Sequence, residues 1–127
     1  MIALTIERFG HSFTLDQVGV GLSQVAPVLI ESIYSLEMEH APLLLQQPEL
    51  HLHPVAQAAF GSYLFRSAIL GLRGVIETHS SFLLDRFRSE IRDYYSSKKP
   101  SGFKSSNVQI LFCESNEKGN HLTKVDV

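Results

Sequence analysis

Residues 43–54, LLLQQPELHLHP, limit what this chain can fold into more than any other stretch. Three consecutive leucines read as a strand buried on both faces, the pattern of a parallel sheet rather than of a solvated hairpin. The apolar run stops at Gln46. Gln46, Gln47, Glu49, His51 and His53 then follow as side chains able to bind ligands or protons. Pro54 suits the first position of a helix, where its missing N–H costs nothing. Open α/β sheets place their sites beyond the carboxyl ends of the strands, so this polar exit is the leading functional candidate.

A chain of 127 residues, 44% of them hydrophobic, suits a single domain over residues 1–127 with a real core. Eleven Lys and Arg against thirteen Asp and Glu leave no overall field that would draw in nucleic acid. Cys113 is the sole cysteine, which excludes an intrachain disulfide and a cysteine metal cluster and fits a cytoplasmic setting. Neither an apolar run of about 18 residues nor a basic-then-apolar start is present, so no membrane span or signal peptide is expected.

In chain order, residues 2–8 suggest an edge or half-buried strand, and residues 2–15 either a hairpin or two separate strands broken at Gly10. Gly19 and Gly21 allow a tight loop and close approach of a ligand, and Ser23 is suited to cap the next helix. That helix is expected over residues 24–38, with Val25, Val28, Leu29, Ile33 and Leu36 as its apolar stripe, and Glu31, Glu37 and Glu39 facing water. Pro27 is tolerable near its first turn but would kink its interior. A strand at 42–46 and a helix over 54–70 come next. Residues 75–80 form a second strand ending in polar groups, and Ser80 or Ser81 caps a third helix. After a polar loop at 96–106, strands are expected at 108–113 and 121–127 around a turn at 114–119. The order predicts an α/β three-layer sandwich with a mainly parallel sheet, a β-α-β-α-β core and a C-terminal β-hairpin. The chain starts without a lead-in and ends inside a strand pattern, which hints at a piece of something larger.

Several chemistries compete for these residues. The loop at 19–24 leads into a helix N-terminus, whose free N–H groups and positive dipole end suit a phosphate; the plainer alternative is a capped turn. His51, His53 and His79 invite a zinc reading, but no HExxH motif or cysteine partner accompanies them, and one of the first two histidines suits a helix cap. Glu49 with His79 has the makings of a general base and its partner. A Ser80–His79–Asp85 triad is disfavoured, because neighbours in an extended chain point apart. No GxxxxGK[ST] phosphate-binding loop occurs anywhere in the sequence.

Taken together and in order, VGVGLSQVAPVL, LLLQQPELHLHP and VIETHS resemble the C-terminal half of an ABC-type P-loop ATPase head of the RecF/SMC/OLD-like group. The resemblance spans about residues 15–85 and implies half of a P-loop NTPase fold. It places Gly19, Gly21, Ser23 and Gln24 in the signature segment, which meets the γ-phosphate of a nucleotide held by the opposite subunit. It makes residues 43–47 a Walker B-like strand, with Gln46 at the magnesium shell and Gln47 near the attacking water. Glu49 becomes the acidic residue after the proline, His53 and Pro54 part of the dimer contact, and His79 the switch histidine.

Two departures stand out. Gln46 and Gln47 are neutral amides, unable to act as bases and leaving Glu49 the nearest carboxylate. The phosphate-binding half is absent. The resemblance therefore implies ATP and Mg2+ only in a completed head, none bound to the isolated chain, and little or no hydrolysis alone. The implied partner is a second copy or a missing N-terminal half, within a nucleic-acid-related complex and away from membranes. Two rivals remain: a non-catalytic interaction module with a degenerate half-fold, and a small metal-dependent hydrolase using Glu49, His51, His53 and His79.

Overall fold

The structure, a computed structural model, describes residues 5–38, 41–97, 102–117 and 119–125. Residues 2–4 of the first expected strand, Glu39, the middle of the loop at 96–106 and the last two residues of the final strand lie outside these. The chain divides into two compact units, Met1–Phe87 and Arg88–Val127.

The first unit opens with an antiparallel hairpin, β1 (Thr5–Arg8) and β2 (His11–Thr14). Phe9 and Gly10 connect them with φ of 52° and 77°, the two left-handed residues of a tight hairpin turn. A short 3-10 turn leads into α1 (Val20–Glu37), followed by β3 (Leu43–Gln46), α2 (Pro54–Ile69) and β4 (Gly74–Glu77). β3 and β4 pair in parallel, Leu43 opposite Gly74 and Gln46 opposite Glu77. Gly74 is required there, because a Cβ would run into the Leu43 carbonyl.

α1 begins four residues earlier than the sequence suggests. Gly19, not Ser23, is its N-cap, and Ser23 lies inside the helix with its hydroxyl donating to the Val20 carbonyl at 2.8 Å. Pro27 is consequently an interior residue and removes the N–H that the Ser23 carbonyl would otherwise receive. Val25, Val28 and Leu29 pack inward, whereas Ile33, expected beside them, is exposed.

The core of this unit is Phe60 and Leu64 of α2 with Leu83 of α3 (Ser81–Ser96), joined by Leu45, Leu52, Tyr63, Ile76 and Phe87. Each large apolar side chain fully buried there contributes about 1.5–3 kcal/mol. Gly61 lets α2 approach α3, since a Cβ would lie 2.5 Å from the Leu83 carbonyl. One polar pair crosses the core: the buried Ser32 hydroxyl meets the Tyr63 hydroxyl.

Burial of β3 on both faces is not what forms. Leu43 and Leu45 turn inward, but Leu44 is 72% exposed and its neighbour Val75 is 68% exposed. The mainly parallel sheet is also replaced by a mixed arrangement. Among the described residues there is one parallel pair and two antiparallel hairpins. Parallel strands need a crossover, and only α2 links two strands that pair. What stands is an α/β architecture with mixed strand pairing and three helices.

In the second unit, Ile91 is buried and Tyr94 meets Tyr95 and Phe103 edge-on, at 5.6 and 5.8 Å between ring centres. β5 (Ile110–Asn116) and β6 (Gly119–Val125) form an antiparallel hairpin. Pairing continues to Asn116 opposite Gly119, so Glu114, Ser115 and Gly119 are strand residues rather than part of a longer turn. Glu114 and His121 face each other at 3.0 Å. No helix among the described residues is long and apolar enough to cross a membrane.

Candidate functional site

The loop from β3 to α2 is shaped by two non-glycine residues in the left-handed region, Gln47 at φ 44° and His51 at φ 64°. Such residues cost about 1–2 kcal/mol each and persist where surrounding contacts over-determine them. Those contacts are present. The Gln47 N–H extends the parallel ladder to the Glu77 carbonyl at 2.8 Å, and the Leu50 and Leu52 N–H groups close turns onto the Gln47 and Glu49 carbonyls.

The loop turns Glu49 inward, leaving it 6% exposed. Its Oε1 accepts the His79 backbone N–H at 2.9 Å, across from the β4 exit, while the buried Oε2 has no partner among the described residues. His51 presents its carbonyl to the first turn of α1, and a Cβ on Gly21 would sit 2.7 Å from that oxygen. Gly21 is thus the close approach that brings the α1 N-terminus onto the loop. At the cap itself Gly19 is open, with nothing within 4 Å of a Cβ placed there. The Leu22 and Ser23 N–H groups both turn to the Gly19 carbonyl, at 2.9 and 3.2 Å.

Asp16 lies on the approach to this helix, in the 3-10 turn Leu15–Gln17. A hydrogen bond from the Thr14 side chain, with one from its own backbone, holds the Asp16 carboxyl below the usual carboxylate range.

His53 caps α2: its Nδ1 accepts from the Val55 N–H at 3.4 Å, and Pro54 takes the first helical position. At the β4 exit, the His79 side chain is 78% exposed, with Nε2 3.2 Å from the Glu77 carboxylate. Next to it Ser80 is buried and caps α3 by accepting from the Leu83 N–H at 3.0 Å. Ser80 also donates to Gln57 Oε1 at 2.6 Å, and Gln57 Nε2 donates to the Leu52 carbonyl at 2.9 Å. Gln57, missed at the sequence level, therefore ties α2 to both exits. Its only trace was a lone amide among the alanines opening α2.

The expected residues divide clearly. Gly21, Glu49 and His79 are drawn together around the loop, and Gln47 is held to β4 through its backbone. Gln46 at the end of β3 and Gln24 on α1 are exposed. His51, His53 and His79 do not assemble a zinc site: one is exposed, one is a cap, and one pairs with Glu77. Among the described residues no three His, Cys, Asp or Glu are placed to hold a metal ion. With Ser80 inward and His79 outward, no Ser-His-Asp set forms either.

Magnesium and ATP fit this donor set poorly as a self-sufficient centre. Residues 46 and 47 are amides, the one nearby buried carboxylate is engaged with a backbone N–H, and the sequence carries no phosphate-binding loop. At the N-terminus of α1, Gly19 is open while the Leu22 and Ser23 N–H groups are taken up by its carbonyl.

No protein-family model matches the chain, and no curated protein matches it. Among solved structures it is similar to a chain from a structural study of ATP-driven dimerization and DNA-stimulated activation of SMC ATPases. That likeness has a TM-score of 0.62 at 8% identity and covers 91% of this chain. It covers 58% of the matched chain, so the protein spans little more than half the length of the structure it resembles. At this identity the likeness establishes the fold alone.

Proposed function

We propose that the chain is one lobe of an ABC/SMC-type ATPase head, which offers the α1 N-terminus to the phosphates of a nucleotide gripped by another lobe and does not hydrolyse ATP alone. The observation that carries this reading is the Gly21–His51 contact. It brings the signature-like segment onto the Walker B-like loop, while Glu49 brings in the segment bearing His79. Gly19, Gly21, Ser23 and Gln24 then belong to the phosphate-facing turn, Gln46 and Gln47 to its polar margin, and His79 to a sensor of the bound nucleotide. His53 and Pro54 belong to the surface that meets the opposite subunit. That subunit is a second copy or the half carrying a phosphate-binding loop, and the completed head serves a nucleic-acid-related complex.

The test needs only the 127-residue chain. No stable complex is expected from one lobe. The NMR titration therefore uses MgATP at about 10 mM, where a transient contact worth only about 4 kcal/mol is populated and is expected to shift the amides of residues 19–23 and the ring of His79. Adenosine, which lacks phosphates, is expected to leave them in place. Equal shifts with both compounds, shifts confined to other residues, or no shift at all overturn the reading.

A second reading, a docking module that binds no nucleotide, is favoured by one observation, the outward face formed by Leu44 and Val75. Apolar side chains on a parallel strand pair are normally covered. Under that reading Leu44→Asp blocks assembly in light scattering while MgATP shifts nothing.

A further inference from the structure

Glu49 is placed as a poor base and a good clamp. A general base has to reach the proton it removes, directly or through one water. Here Oε1 already accepts the His79 N–H at 2.9 Å, and Oε2 is enclosed without contact to solvent. Enclosing a carboxyl oxygen without a partner leaves its desolvation uncompensated. The left-handed residues on both sides, Gln47 and His51, add strain to the same loop. A loop that retains these costs to bury one carboxyl ties that carboxyl to a role.

The role is visible in what the carboxyl holds. The segment 79–80 is held at two points, its His79 main-chain N–H by Glu49 and its Ser80 side-chain hydroxyl by Gln57. Between these anchors the imidazole of His79 is left exposed, touching only the Glu77 carboxylate among the described ion pairs. We propose that Glu49 is a positioning residue: through Oε1 it fixes the His79 main chain and so presents the imidazole outward at the β4 exit, toward the phosphates of a nucleotide. The exposures agree with this: Ser80 is drawn inward and buried, while the His79 ring beside it stays in solvent.

The assignment rests on His79 being the nucleotide-facing residue, and the experiment separates the two. Amide hydrogen exchange on the full chain is expected to protect the His79 N–H at least about tenfold over a free amide. Glu49→Gln keeps an acceptor oxygen and is expected to retain that protection, while Glu49→Asp, a methylene short, and Glu49→Ala lose it. With MgATP as the probe, the His79 ring is expected to shift in the wild type and in Glu49→Gln. In Glu49→Ala it no longer shifts, although the amides of residues 19–23 still respond. An unprotected His79 amide in the wild-type chain overturns the positioning role, and this needs no variant to fold. A Glu49→Gln chain that keeps the protection but loses the His79 response also overturns it, in favour of a carboxylate acting on the ligand itself. Intact protection with a silent titration supports the clamp and overturns the nucleotide reading.

Discussion

The exits of β3 and β4 lie side by side in a parallel pair, yet they handle their ionisable side chains in opposite ways. After β3 the backbone is contorted and the acid is hidden: Gln47 and His51 take left-handed conformations and Glu49 is buried. After β4 the chain carries no such strain and the base is displayed, with His79 in solvent and Ser80 tucked under it. Polarity at a strand exit does not by itself mark chemistry. One exit uses its polar groups to build shape, and the other has that shape imposed and leaves its ring exposed beside the Glu77 carboxylate.

The largest effect is expected where the α1 backbone touches the loop after β3. Gly21→Val forces a side chain against the His51 carbonyl, which backbone cannot yield cheaply. It is expected to cost about 2–3 kcal/mol in urea denaturation, and to remove the MgATP response of residues 19–23. A smaller effect is expected at the anchor beneath His79. Ser80→Ala removes the α3 cap and one partner of Gln57, costing about 1–2 kcal/mol by the same measurement. His79→Ala sharpens the contrast, because an exposed ring carries little stability. Its melting behaviour should stay within about 0.5 kcal/mol of the wild type, while the nucleotide response at the β4 exit disappears. An equally large stability loss from His79→Ala and Ser80→Ala would erase the distinction between displayed and buried groups.

The smallest effect belongs to Asp16. Its carboxyl titrates lower when folded than in the unfolded chain, so its contribution is complete above the unfolded value and is lost as pH falls through the folded one. Asp16→Asn should therefore flatten only the acid limb of a stability profile, below about pH 4, with no change near neutrality.

Much of this arrangement could be read from the sequence. Pro54 announced the start of α2, Ser80 or Ser81 the cap of α3, and the β3 exit its cluster of polar groups, because each follows from local chemistry. The misreadings came from long-range contacts. Ser23 is an able N-cap and Pro27 argued for a late start, but the packing of Gly21 on His51 draws the helix beginning back to Gly19. The three leucines of β3 gave no sign of which of them would lie on an uncovered face. Nor does any local rule announce that Glu49 turns inward, since that depends on left-handed conformations at glutamine and histidine, residues without glycine's freedom.

The parallel pairing of β3 and β4 has a consequence for the order in which the molecule assembles. The hairpins β1–β2 and β5–β6 join residues near one another in the chain and can close early. Leu43 and Gly74 meet only after the whole of α2 has been laid down between them, and contacts between such distant residues carry the larger loop-closure entropy. The Glu49–His79 clamp spans the same interval. Both strand exits therefore depend on these distant contacts, and a chain caught before they form would have its hairpins but not the paired exits.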